Sequence, residues 1–342
     1  MKRLVAVLGA VAMIGAAVLI RGALTSDGGG GGGGGAGDDG ETHLICATEL
    51  EAACTALAEE DDSIAVTVED VGVTAARLVD PAFDPTADDQ EFDGWLTLKP
   101  WPDLVDLRRD QAGDPAVLGE QSEVLATSKL AMVGPAERIT LLQTACRGAD
   151  QLGWNCLGDI AADQWTSHGG TAQQGKIEVG HDDPTASATG LLVLGQAASD
   201  YFETTDFATN DIEFDDEFRP WLRRLENADP NLPLSYQNKP VIEQLELPID
   251  SWDAVGTLDP AARASKSRSA GDLTVLYPSP MIRAEVVLAP IRGHEVAVDD
   301  AALTAALDDA GWDPGGVPQD APAAPSAGVY EALIQEWEQA DR

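Results

Sequence analysis

Val179-Gly180-His181-Asp182-Asp183-Pro184-Thr185-Ala186-Ser187-Ala188-Thr189-Gly190-Leu191-Leu192-Val193-Leu194 reads as the end of a strand, a tight turn and the start of an amphipathic helix. The strand is expected over Lys176 to Gly180 and the helix from Ser187 to about Tyr201. A helix start leaves backbone N–H groups without intrahelical partners and carries a partial positive charge. Thr185, Ser187 and Thr189 place hydroxyls at the same point. A small anion or polar solute can be held there without a charged side chain. Plain N-capping by Asp183 or Thr185 is the competing explanation.

Upstream, His43 to Ala47 reads as a buried strand, with Thr48 capping a helix to about Glu59. Strands over Ser63 to Val68 and Gly94 to Leu98, with helices over Gly72 to Val79 and Pro102 to Arg109, complete a β-α-β-α-β-α series. That alternation is the signature of a parallel sheet covered by helices. Glu123 to Gly134 is a long strand with a polar break in its middle, followed by a helix from Ala136 to Cys146 and a short one from Asp159 to Trp165. Beyond the central helix, Phe214 to Asn227 and Pro240 to Leu247 read as helices, and Asp272 to Pro278 and Glu285 to Pro290 as strands. Ala301 to Ala310 and Gly328 to Gln339 read as the last two helices. The final helix carries an apolar stripe of Tyr330, Leu333, Ile334 and Trp337.

The chain opens Met1-Lys2-Arg3, then runs from Leu4 to Ile20 without a charge. Residues 1–26 therefore read as a signal peptide or an uncleaved signal anchor, with the membrane engaged through this helix and the rest of the chain outside the cytoplasm. Residues 27–41, with the unbroken glycines Gly28 to Gly35, read as a flexible linker. The net charge is −38. A field of that sign excludes nucleic acid as a partner and repels free anions, so an anionic ligand needs a local site of neutral donors. Four cysteines fall as two close pairs, Cys46 with Cys54 and Cys146 with Cys156. In an exported chain these read as two disulfides pinning local turns, and their spacing does not suit zinc.

Ile45-Cys46-Ala47-Thr48-Glu49-Leu50, Leu125 to Val133, Gly180 to Gly190, Thr274 to Pro278 and Ala284 to Ala289 together resemble type 2 extracytoplasmic solute-binding proteins, near the molybdate-binding branch. The resemblance implies an α/β, two-lobed type 2 periplasmic-binding-protein fold, each lobe a sheet flanked by helices, joined by two crossing strands. It places lobe 1 over 42–126 and 272–342, the latter including the C-terminal helix, and lobe 2 over 127–271. It implies a small-molecule or oxyanion ligand in the interlobe cleft, no cofactor, and an ABC transporter permease or other envelope protein as partner. Carried onto this chain, the ligand contacts are Thr48, Thr127, Ser128, Asp183, Thr185, Ser187, Thr189 and Tyr277. Glu49 departs from the family pattern. As a first-turn helix residue it is expected to face solvent and favour the helix dipole.

Trp101, Trp221, Trp252, Trp312 and Trp337 are expected to pack, Lys99 to lie at the surface, and His181 to have no catalytic or metal role. The final helix is expected to dock on lobe 1. No Gly-x-Ser-x-Gly motif, metal-ligand pair or triad is visible, so an enzyme is not expected. The expected function is solute capture for an ABC-type transporter. The alternative is a membrane-anchored interaction or sensory protein that keeps the receptor fold.

Overall fold

Strand β4 (Ala126–Pro135) organises the fold, because it belongs to two sheets. Its first residues, Ala126 to Lys129, pair antiparallel with β8 (Arg283–Pro290). From Leu130 onward it pairs with β6 (Ala254–Leu258), and from Met132 with β7 (Leu273–Leu276) on its other edge. The polar break read in the sequence, Thr127-Ser128-Lys129, is the point of transfer. β8 also changes partners: its first half pairs β4 and its second half pairs β3 (Gly94–Leu98). β4 thus carries the chain between the two sheets of an α/β fold, with the strand order β2-β1-β3-β8-β4-β6-β5 and β7 beside β4.

The computed structural model describes residues 41–86, 91–148, 152–230, 232, 239–247, 252–269, 271–315 and 324–340. The proposed signal or anchor and the glycine linker before Glu41 lie outside the described residues. Among the described residues no helix is long and apolar enough to cross a membrane.

On one side of β4, β1 (Thr42–Ala47) lies between β2 (Ile64–Glu69) and β3, all parallel. Helices α1 (Glu51–Glu60), α2 (Val71–Val79) and α3 (Trp101–Ala112) cover them. β3 is buried throughout, which is why it reads as an apolar run rather than an alternating one. Between β1 and α1 the chain takes one 3-10 turn, Thr48–Leu50, so Thr48 does not cap α1 as expected. The Cys46–Cys54 disulfide brackets this turn.

On the other side, α4 (Ala136–Ala145) follows β4 and the Cys146–Cys156 disulfide ties it to α5 (Trp154–Ile160). The helix expected over Asp159 to Trp165 instead lies earlier, because Trp154 and Leu157 supply its buried face. The strand expected over Lys176 to Gly180 shrinks to β5 (Val179–Gly180). Glu178 N–H is taken by the Asp253 carboxylate at 2.8 Å, not by a neighbouring strand. Helix α6 (Ala188–Tyr201) was expected to be amphipathic, yet it is buried on every face from Ala188 to Ser199. Gln196, at its centre, is fully satisfied: Nε2 donates to the Pro278 and Pro280 carbonyls and Oε1 accepts from Trp154 Nε1. Further helices are α7 (Thr209–Phe214), α8 (Phe218–Glu226), α9 (Val241–Gln244), α10 (Asp259–Arg268) and α11 (Asp300–Asp309).

The last helix, α12 (Ala327–Ala340), was expected to dock on lobe 1; it packs against α3 on one side and also against α6, α7 and α8 on the other. The apolar stripe lies between them: Tyr330 and Leu333 are fully buried. Ion pairs finish both flanks, Arg108 Nε to Glu331 at 2.8 Å and Arg219 Nη2 to Glu336 at 2.7 Å. Tyr330 lies against Gly195, where an added Cβ would sit 2.5 Å from the ring. Alanine is favoured over glycine inside a helix by about 1 kcal/mol. Here the ring is fully buried and cannot swing away, so overpacking of about 1–3 kcal/mol outweighs that preference. Gly195→Ala should lower the unfolding free energy by about 1 kcal/mol or more in urea titration. A stabilised variant would show that the α6–α12 contact yields.

Candidate functional site

The predicted residues divide into two groups. Thr48, Asp183, Thr185, Ser187 and Thr189 lie along one seam, where the turn after β1 and the start of α2 meet the start of α6. Gly72 N–H, in the first turn of α2, donates to the Ala186 carbonyl at 3.1 Å. A Cβ on Gly72 would sit 2.1 Å from the Thr185 carbonyl oxygen, so only glycine permits this approach. Thr48 Oγ1 donates to Asp70 at 2.8 Å, at the entrance to α2. Asp183 accepts from Thr185 N–H and Oγ1, both at 2.7 Å. Those bonds shape the turn and do not cap α6, so the competing explanation of plain N-capping by Asp183 is not met. The cap is Ser187, whose Oγ accepts from Gly190 N–H at 3.1 Å.

The centre of the seam is Glu49. Its Oε1 accepts from Ser187 Oγ at 2.9 Å and from Thr189 N–H at 2.9 Å. Its Oε2 is buried and accepts no hydrogen bond. The expectation that Glu49 faces solvent is therefore overturned. The 3-10 turn rotates the residue inward, and the partner-seeking donors of α6 give its carboxylate somewhere to bind. Thr189 contributes its backbone N–H to this contact, so its side chain is not what the carboxylate reads.

Thr127, Ser128 and Tyr277 are engaged by other neighbours. Thr127 is buried in β4 and its N–H and carbonyl pair with Asp313. Ser128 Oγ donates to its neighbour's carbonyl, that of Lys129, at 3.3 Å. Tyr277 is partly exposed; its hydroxyl donates to Asp259 at 2.7 Å and Lys129 Nζ lies 5.5 Å from its ring centre. Burial and that bond to Asp259 push the Tyr277 hydroxyl upward. A cavity of about 360 Å³ lined by Pro135, Glu137, Arg138, Gln173 and Gln174 touches none of the eight predicted residues. Trp101, Trp221, Trp252 and Trp312 are buried as expected, Trp337 is half-buried, and Lys99 lies at the surface, 4.0 Å from Glu285.

Sequence reasoning missed three participants: Glu49 as an inward group, Gly72, and Asp182. Asp182 Oδ1 accepts from Val241 N–H at 2.8 Å. Burial pushes its carboxyl up to about 6; the Val241 bond opposes this, and Glu49 and Asp70 add to it. A glycine standing as the first residue of an expected helix was the available signal for Gly72. Nothing in the local pattern marks Glu49, whose inward turn depends on α6 from 138 positions away.

His181, beside this seam, is a structural cation. Its Nδ1 donates to the Asp182 carbonyl at 2.7 Å and its Nε2 pairs with Glu226 at 3.1 Å. Glu226 also accepts from Trp337 Nε1 of α12 at 2.6 Å. Burial opposes the charge, but Glu226, the Asp182 carbonyl and Asp229 outweigh it and push the imidazole up to about 9.

No protein-family model matches the chain, and no curated protein matches it in sequence. Solved structures do. A candidate spermidine/putrescine ABC transporter protein from Listeria monocytogenes superposes with a TM-score of 0.53 at 8% identity, covering 88% of this chain and 99% of its own. The substrate-binding protein of an ABC transporter from Agrobacterium tumefaciens gives 0.51 at 12% identity, covering 90% and 96%. The periplasmic binding protein P5PA gives 0.50 at 12% identity, covering 89% and 100%. At these identities the likeness is one of fold, and the fold is that of solute-binding proteins.

The raised His181 pKa sets a pH dependence. Its contribution to stability is complete below pH 6.5 and is lost as pH rises through about 9, on the order of 3 kcal/mol in all. Asp182 acts in the same sense at lower pH, losing its contribution as pH rises through about 6. Glu226→Gln should flatten the fall in melting temperature between pH 6.5 and 9. An unchanged slope in that variant would remove His181 as its source.

Proposed function

We propose that this protein is an extracytoplasmic solute-binding protein that captures a small polar or anionic ligand between its two lobes, for an ABC-type transporter. One observation carries the reading: Ser187 Oγ–H and Thr189 N–H, from one lobe, converge on a single carboxylate oxygen presented by the other. Two neutral donors at the start of a 14-residue helix are suited to a polar or anionic oxygen in a protein whose overall field repels anions. The shared fold supports the class, as does the description of the Agrobacterium protein as a transporter's substrate-binding protein. Two formed disulfides agree with an oxidising, extracytoplasmic compartment. A molybdate-like dianion fits less well than a singly charged or neutral solute, because Glu49, Asp70 and Asp182 all border the seam. The N-terminal segment supplies the export signal or membrane anchor in this reading.

A second reading is favoured by α12. Helix α12 binds elements on both sides of the crossing strands, so it resists their separation. A receptor fold held this way suits a membrane-anchored envelope interaction or sensory protein.

The test is native mass spectrometry of the full-length protein for a co-purified small molecule, followed by calorimetric titration with it. Ser187→Ala should weaken binding about tenfold or more, since it removes a donor to a charged or polar oxygen. It should lower stability by about 2–4 kcal/mol, the loss of an N-cap together with the charge-assisted bond to Glu49. Unaltered affinity would reject the site. A stable envelope partner, with no solute-induced compaction in scattering, would instead favour the second reading.

A further inference from the structure

The donors that would receive a solute are already occupied. Glu49 sits in a 3-10 turn of three residues enclosed by the Cys46–Cys54 disulfide, with Leu50 beside it fully buried. The turn is therefore presented rigidly, and the carboxylate is delivered to the start of α6 without long-range search. It takes both Ser187 Oγ–H and Thr189 N–H on one oxygen. The adjoining Gly72–Ala186 backbone bond closes the seam beside it. The second carboxylate oxygen is buried with no hydrogen-bond partner, while Asp70 and Asp182 add like charge nearby. A carboxylate kept in such surroundings is held by what the first oxygen gains. Those two bonds therefore hold the seam shut together with the Gly72–Ala186 bond.

We propose that Glu49 is a built-in occupant of the α6 site: its carboxylate holds the seam closed when no solute is present, and a solute carboxylate binds by displacing it. This rests on the reading that the start of α6 is the ligand site, and it names both the class of group that competes there and the residue that gates entry. Displacement relieves the unpartnered Glu49 oxygen, which can then reach water. The incoming group inherits the same two donors.

Hydrogen exchange on the full-length protein tests this without a known solute, using acetate as probe. In Glu49→Ala the Thr189 amide loses its acceptor and should exchange about tenfold or more faster than in the wild type. Excess acetate should restore its protection and raise the melting temperature of the variant, while leaving the wild type unchanged. Chloride at equal ionic strength should do neither. An unchanged Thr189 amide in Glu49→Ala, or recovery by chloride equal to that by acetate, would overturn the proposal. Should Glu49→Ala not fold, Glu49→Gln replaces it. A neutral amide oxygen holds the donors less strongly than a carboxylate, so Thr189 should exchange several-fold faster, and wild-type protection there would overturn the latch. A failed search for a co-purified solute would leave this exchange pattern intact, so the two readings fail separately.

Discussion

A helix buried on every face cannot turn its first N–H groups to water. That constraint governs the centre of this molecule. Helix α6 has no solvent face from Ala188 to Ser199, so the donors at its start must be met by protein. Ser187 Oγ meets Gly190 N–H, and Glu49 meets Thr189 N–H from the far side of the fold. A buried donor left unmet costs about 1–3 kcal/mol, enough to decide the local arrangement. The neighbouring residues conform to this one requirement. Gly190 lacks a Cβ where the Asp182 carbonyl would lie 2.2 Å away, and Gly72 lacks one where Thr185 approaches. Small residues clustered on both banks of the seam are what let two helix starts and a strand end come together.

The shared strand supplies the second half of the architecture. Because β4 passes from β8 to β6 and β7, the two sheets meet through backbone pairing. Thr127 and Ser128 fall where that transfer occurs, and their partners there belong to the strand and its neighbours. Helix α12 adds a side-chain connection across the same division. Its buried Tyr330 and its flanking ion pairs attach elements that β4 alone would leave joined at a hinge. The His181–Glu226–Trp337 chain then links α12 back to the turn before α6. Strap and seam are thus parts of one connected network.

The sequence made the frame legible and left the seam's content hidden. β3 and α4 stand out because their apolar pattern and their flanking Gly and Pro residues are local. The disulfides follow from loop lengths that suit no other use of the cysteines. β6 (Ala-Val-Gly-Thr-Leu) escaped notice because it is short and contains a glycine. That glycine exists for a tertiary reason: a Cβ on Gly256 would lie 2.5 Å from Val193 and 2.7 Å from Trp154. The start of α6 was singled out from its hydroxyl spacing, which is a local signal. Glu49 was misread because first-turn acidic residues usually serve their own helix. Here the residue serves another helix, and no periodicity encodes such a pairing. Tyr277 was placed at the cleft from its position at a strand end, and the structure adds what no local pattern encodes, that its hydroxyl donates to Asp259.

The overall charge gives the internal carboxylate its meaning. At −38 the protein repels any free anion before contact. A tethered carboxylate crosses that field without approaching from solution, and it forfeits no translational freedom on binding. A simple inorganic anion competing for Ser187 and Thr189 therefore loses on both counts. A solute that displaces Glu49 must bring further contacts, or a compensating positive charge that the surrounding carboxylates of Asp70 and Asp182 would welcome. Selectivity in this seam would then arise from the residue that fills it, since every candidate ligand is measured against Glu49.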